Sequence, residues 1–136
     1  MKAGVLDANV LLRFFLQDDP KQSPAATALF NEAEEENDEL FLQDAIVAEV
    51  TFVMEKVYKK RRIQIAEALL DFIQNAGIGL QSAEMLPDAL IRYRNHPVDF
   101  PDALVAAMAV AKKIPAVSFD KDLDRFHDLT RFEPKA

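Results

Sequence analysis

At 136 residues and 15.3 kDa, the chain is long enough for one compact domain that buries roughly two-thirds of its unfolded surface. Half the residues are apolar and 29% are charged, which excludes a disordered tail or linker. Sixteen Lys and Arg against 23 Asp and Glu leave a net charge of −7, excluding a general basic field for nucleic acid or an anionic membrane. With no cysteine, disulfides, thiolate zinc sites and thiol nucleophiles are excluded too.

The N-terminus reaches Asp7 too soon for the apolar core of a signal peptide, and no run approaches the roughly 20 apolar residues of a membrane span. The expectation is a soluble, cytoplasmic protein without a membrane partner. The apolar run Ala3 to Leu6 predicts a strand, and Asn9 to Leu16, with helical spacing of apolar residues, predicts a helix. Ser23 before Pro24 predicts the start of a second helix through the acidic stretch Glu32 to Glu36. Leu40 to Leu42 reads as a strand, with Asp44 as cap of a long helix from about Ala45 to Lys60. The apolar stripe of that helix is Ile46, Val50, Val53, Met54 and Val57.

A further helix near Ile63 to Asn75 stops at Gly77, ahead of a strand at Ile78 to Leu80. Ser82 opens a helix ending near Asn95, its start open to delay by Pro87, and an apolar helix runs from Pro101 to Ala111. Ala116 to Phe119 predicts a strand, and Phe132 sits on a last short one. Strands alternating with helices, without a linker-like stretch or a repeat, predict a single α/β domain over residues 1–136 with a mostly parallel sheet. In such sheets ligands bind beyond the carboxyl ends of the strands, where Asp7 and Asp120 both fall.

Four acids stand out. Asp7 after a strand reads either as a helix cap or as a ligand-edge carboxylate. Glu49 is the only charge between Ile46 and Met54 and borders the apolar stripe, which predicts partial burial. Asp102 opens a helix apolar on every face, which predicts a buried helix whose acidic first turn meets the positive end of the dipole; Asp99 has the spacing of its cap. Asp120, Asp122 and Asp124 alternate after a strand, and fit either a solvated turn or oxygen ligands for a hard cation. The EF-hand pattern fails, for lack of the Gly and the closing Glu it requires. If Asp7, Glu49, Asp102 and Asp120 converge, their repulsion calls for a cation, and an all-oxygen set suits Mg²⁺ or Mn²⁺. His96 and His127 lie in no ligand-spaced motif and read as surface residues. Walker loops, dinucleotide fingerprints and a Gly-x-Ser-x-Gly elbow cannot be written with glycines only at 4, 77 and 79.

The segment Val5-Leu6-Asp7-Ala8-Asn9-Val10-Leu11-Leu12-Arg13-Phe14 resembles the opening of PIN-domain nucleases, specifically the VapC-type toxins of toxin–antitoxin pairs. Ala48-Glu49-Val50 is similar to the helical Glu of that family. Asp99-Phe100-Pro101-Asp102-Ala103-Leu104-Val105-Ala106-Ala107 resembles its acidic helix, and Ser118-Phe119-Asp120-Lys121-Asp122-Leu123 its last acidic segment. The departures are Pro101 for the usual Ala and Ser118 for the common Thr, and neither removes a proposed ligand.

The resemblance implies a three-layer α/β/α PIN-like fold and metal-dependent RNA cleavage. It places catalytic and metal-ligating roles on Asp7, Glu49, Asp102 and Asp120, and supporting roles on Asn9, Ser118 and Asp122. It also implies a VapB-like antitoxin partner and a homodimer, with Val10 to Leu16 and Val47 to Val57 as apolar segments for either core or interface. Arg13 is a candidate for an RNA phosphate or a structural carboxylate, and Lys56, Lys59, Lys60, Arg61 and Arg62 form a basic tract for RNA or solvent. The readings from other classes are a non-catalytic PIN-fold protein-binding module and a phosphotransfer domain with Asp7 as nucleophile. The second lacks the paired acid two residues on, where Asn9 stands.

Overall fold

The first strand, β1 (Ala3–Val5), pairs in parallel with β2 (Glu39–Leu42), and β2 pairs in parallel with β3 (Ile78–Leu80), in a computed structural model that describes residues 1–136. Val5 lies opposite Phe41, and Leu42 opposite Leu80, so the three strands end on one edge. The period of two is visible in β2, where Leu40 and Leu42 are buried while Glu39 and Phe41 are exposed. Gly77 precedes β3 because a Cβ there would stand 3.0 Å from the Asp38 carbonyl oxygen.

These strands belong to the first of two compact units, Met1–Ala83 and Glu84–Ala136. In the first unit, α1 (Ala8–Leu16) ends where Gln17 turns left-handed, at φ 50°, and returns its N–H to the Arg13 carbonyl at 3.1 Å. The start of α2 (Gln22–Glu35) differs from the expected Ser23 cap. The Asp19 carboxylate accepts the Lys21 and Gln22 N–H groups at 2.9 and 2.7 Å, while Ser23 is buried and its Oγ accepts the Asp19 N–H. Asp19 lies one turn earlier and takes both N–H groups on its Oδ1, and its carboxyl is held below the usual range by those amides, Gln22 first. The helix ends through left-handed Asn37, after which the Asp38 N–H reaches the Ala33 carbonyl.

The long helix expected to reach Lys60 is interrupted. After α3 (Asp44–Phe52) comes a π-helical turn, Val53–Val57, in which the Tyr58 N–H reaches back to the Val53 carbonyl. The residues that pack are Val47, Val50, Thr51 and Met54, whereas Val57, expected on the stripe, is 62% exposed. The wider turn rotates the helix phase and carries Val57 off the apolar face. Lys59 then adopts φ 57°, closing the element before α4 (Arg62–Phe72). Phe72 anchors an aromatic cluster, with ring centroids 5.0 Å from Phe30, 5.6 Å from Phe15 and 6.0 Å from Phe14.

The second unit is built on α5 (Leu86–Asn95) and α6 (Phe100–Lys112), packed through Leu86, Leu90, Tyr93, Ala103 and Ala107. Ser82 does not open α5, which starts at Leu86 with Pro87 in its first turn. Nor is α6 buried on every face, since Val105 is 45% exposed. Its Ala residues suffice to line the buried side. Arg92 is buried on α5: it donates to Asp88 and to both oxygens of Asp128, and its guanidinium lies 5.1 Å from the Phe126 ring centre. The short parallel pair β4 (Ala116–Val117) and β5 (Arg131–Phe132) brackets a 3₁₀ turn, Lys121–Arg125. The strand expected to reach Phe119 stops at Val117, because Ser118 and Asp120 turn the chain with their own hydrogen bonds. No helix is long and apolar enough to cross a membrane.

Candidate active site

In the first unit, β1 hands the chain to α1 through Leu6 and Asp7. Asp7 occupies the N-cap position with extended backbone, φ −98° and ψ 155°, but its carboxylate makes no capping bond and is exposed. A carboxylate beside the first orphan N–H groups of a helix ordinarily accepts one of them. Of the two roles read from the sequence, the capping one is unfilled. Glu49 lies on α3 and is exposed, contrary to the partial burial expected at the stripe edge. The buried face of α3 runs through Val47, Val50 and Thr51, so Glu49 falls on the opposite side of Val50 from the packed surface. Asn9 donates to Gln22 Oε1 at 3.3 Å. Arg13 spans Tyr58 Oη at 3.1 Å and Asp18 at 3.0 Å, and these partners hold it protonated beyond its usual range.

The sheet edge holds another carboxylate. Asp44 follows β2 as Asp7 follows β1, and the register places them at the ends of adjacent strands. Asp44 is not the cap of α3, a position taken by Gln43; it is the first helical residue. Its Oδ2 accepts the Ser82 hydroxyl at 2.6 Å, its N–H reaches Gln81 Oε1 at 2.8 Å, and its Oδ1 is buried without a hydrogen-bond partner. The same signal that marked Asp7, an acid directly after a strand, was available for Asp44.

In the second unit the acids gather. Asp99 holds the N-cap position of α6, and Asp102 lies in its first turn. Burial first, then the like charges of Asp120, Asp99 and Asp122, push the Asp102 carboxyl above its ordinary range. Asp120 is placed by the chain around it: its N–H donates to Ser118 Oγ at 2.9 Å, and its Oδ1 accepts the Asp122 N–H at 2.8 Å. Asp122 has only a distant ionic neighbour, Arg125, at 3.8 Å. Asp124 behaves differently, because Arg131 grips both its oxygens and holds its carboxyl below the usual range.

No group of three or more acidic or histidine side chains forms a ready-made cation cage. The donor chemistry nevertheless fits a hard divalent cation. Asp102 is surrounded by carboxylates with no basic group lowering its pKa, and such a set is relieved by a positive charge bound through oxygen. Arg131 was not singled out by the sequence motifs. An Arg at the predicted last strand, next to Phe132 and two residues before Glu133, was the available signal.

The sequence model of the PIN domain family matches residues 4–129, which spans all of the acids described above. The parallel strands with intervening helices agree with the three-layer α/β/α architecture of that family. No curated protein gives a significant match to the chain.

Proposed function

The chain belongs to the PIN domain family, whose members are in general metal-dependent nucleases, and on that premise we propose that it is a Mg²⁺- or Mn²⁺-dependent endoribonuclease. The family match over residues 4–129 carries this reading, and it is supported by the Asp102 carboxyl, which burial and then the like charges of Asp120, Asp99 and Asp122 push above its ordinary range, a repulsion that a bound cation would offset. Asp7, Glu49, Asp102 and Asp120 are the residues proposed to hold the cation, with Asn9, Ser118 and Asp122 supporting them. When bound, the cation supplies Lewis acidity toward water and the phosphate oxygens.

The chain's own residues do the rest. Asp120 is held by the hydrogen bond from its own N–H to Ser118 Oγ and by the Asp122 N–H that its Oδ1 accepts, which would limit the conformations its carboxylate must search to hold the cation. Asp7, whose carboxylate caps nothing, keeps both oxygens for the site. Arg13 is proposed as a phosphate contact, its fork already oriented by Tyr58 and Asp18. At a net charge of −7 the approach of RNA depends on such local cations and on the bound metal.

The order of four motifs supports the narrower assignment to a VapC-type toxin in the cytoplasm, a homodimer neutralised by a small VapB-like antitoxin. The test is incubation of structured and unstructured RNA with the protein in Mg²⁺, Mn²⁺ or EDTA, alongside Asp7→Asn and Asp102→Asn. Cleavage that needs the metal and is lost in both variants supports the nuclease. Metal-independent behaviour with retained partner binding supports a non-catalytic binding module instead.

A further inference from the structure

We propose that Arg131 is the positioning residue of the Asp120 turn, clamping the chain on both sides of that carboxylate. The proposal rests on the reading that Asp120 serves a divalent cation. Arg131 lies beyond the residues matched by the family model, which ends at 129.

The guanidinium uses its whole fork. Nη1 donates to the Ser118 carbonyl at 3.0 Å, two residues before Asp120. Nε and Nη2 donate to the two oxygens of Asp124 at 2.9 and 3.2 Å, four residues after it. Nη1 also reaches Glu133 at 3.0 Å, which ties the fork to its own strand. The Arg131 side chain is 13% exposed, and its bonds to the Ser118 carbonyl and to Glu133 are half-buried while those to Asp124 face solvent. On the strand side, the Ser118 N–H donates to the Phe132 carbonyl at 3.0 Å, fixing the residue whose hydroxyl holds the Asp120 amide. Arg131 thus reaches Asp120 on one side through Ser118, whose hydroxyl accepts the Asp120 N–H, and on the other through Asp124, four residues on in the 3₁₀ turn.

The choice of partners matters as much as the links. Arg131 neutralises Asp124 and Glu133 and makes no ion pair with Asp120 or Asp122. Asp120 is positioned by Arg131 without forming an ion pair with it. A lysine at 131 presents a compact ammonium and cannot reproduce the fork that spans the Ser118 carbonyl and both Asp124 oxygens.

The experiment measures Mn²⁺ affinity by the electron paramagnetic resonance of free Mn²⁺, together with amide hydrogen exchange at Asp120 and Asp122, in the full chain. Arg131→Gln is expected to weaken Mn²⁺ binding on the order of tenfold or more and to speed exchange at both amides. Arg131→Lys is expected to recover part of the affinity. Arg92→Met is the control: it destabilises the same unit through a different clamp and is expected to leave Mn²⁺ affinity unchanged. Unchanged affinity in a folded Arg131→Gln chain, or an equal loss in Arg92→Met, overturns the positioning role. Wild-type protein that binds no Mn²⁺ overturns the cation reading itself, and this proposal with it.

Discussion

Asp128 holds Arg92 by both carboxylate oxygens, at 2.9 Å to Nη1 and 2.5 Å to Nη2, across 36 residues of sequence. Arg92 is only 8% exposed and also holds Asp88, so its charge is satisfied inside the second unit. Arg92→Met keeps much of the apolar stem and removes the charged bonds, with an expected cost of about 2 kcal/mol in urea unfolding.

The same pair sets an acid dependence. Arg92 holds the Asp128 carboxyl below its usual range, so the folded state binds that proton less readily than the unfolded chain. This contribution is complete above the unfolded carboxylate value of about 3.9 and is lost as pH falls through the lower folded value. Thermal midpoints measured between about pH 6 and pH 3 are expected to fall less steeply in Arg92→Met than in the wild type.

Asp102 has the opposite sign. Its raised carboxyl means that the charged form is penalised in the folded state, and that stability rises as pH falls through its folded value. Asp102→Asn is expected to raise the thermal midpoint of the metal-free protein by a few degrees while abolishing RNA cleavage. Scanning calorimetry with EDTA and with Mn²⁺ checks the stability half, since Mn²⁺ should stabilise the wild type and not the variant, and RNA turnover on the same preparations checks the other.

Asp7→Asn separates site from scaffold. The carboxylate is exposed and makes no capping bond, so unfolding free energy is expected to change by about 0.5 kcal/mol or less. Cleavage is expected to fall by roughly 10²- to 10³-fold, the usual scale for loss of a charge-stabilising group. Denaturant titration and RNA turnover on the same preparation check the contrast.

Phe72 tests the core. It is 4% exposed and touches three phenylalanine rings in the first unit. Phe72→Ala is expected to cost about 3 to 5 kcal/mol, read as a shift of the urea midpoint at constant slope.

Short apolar runs located the strands, helical spacing located α1, serine and proline start signals located α2 and α5, and an unbroken apolar run located α6, because burial and hydrogen bonding impose those patterns locally. The π turn escaped, since the apolar spacing from Ile46 to Val57 is as compatible with a continuous helix as with a widened turn. The cap of α2 was misplaced because Ser23 and Asp19 are both capping residues and only their geometry chooses between them. Glu49 was expected to be half-buried because it lies beside Ile46 and Val53, but those two are themselves only half-buried and the packed face of α3 runs through Val47, Val50 and Thr51. The acids of the second unit were legible as a motif. The arginines that organise it were not, for Arg92 and Arg131 find partners up to 36 residues away.

Parallel pairing also imposes a timetable. Strand β2 is the centre of its sheet and needs both β1 and β3, so the first three-stranded ladder cannot close until Leu80 has been synthesised. The remaining residues, 84–136, take roughly 3 to 10 s to translate at ordinary rates. During that interval a nascent chain carries Asp7 and Glu49 while Asp102 and Asp120 are still unmade. A chain that stops before Glu84 therefore holds only half of the acids proposed to bind the cation.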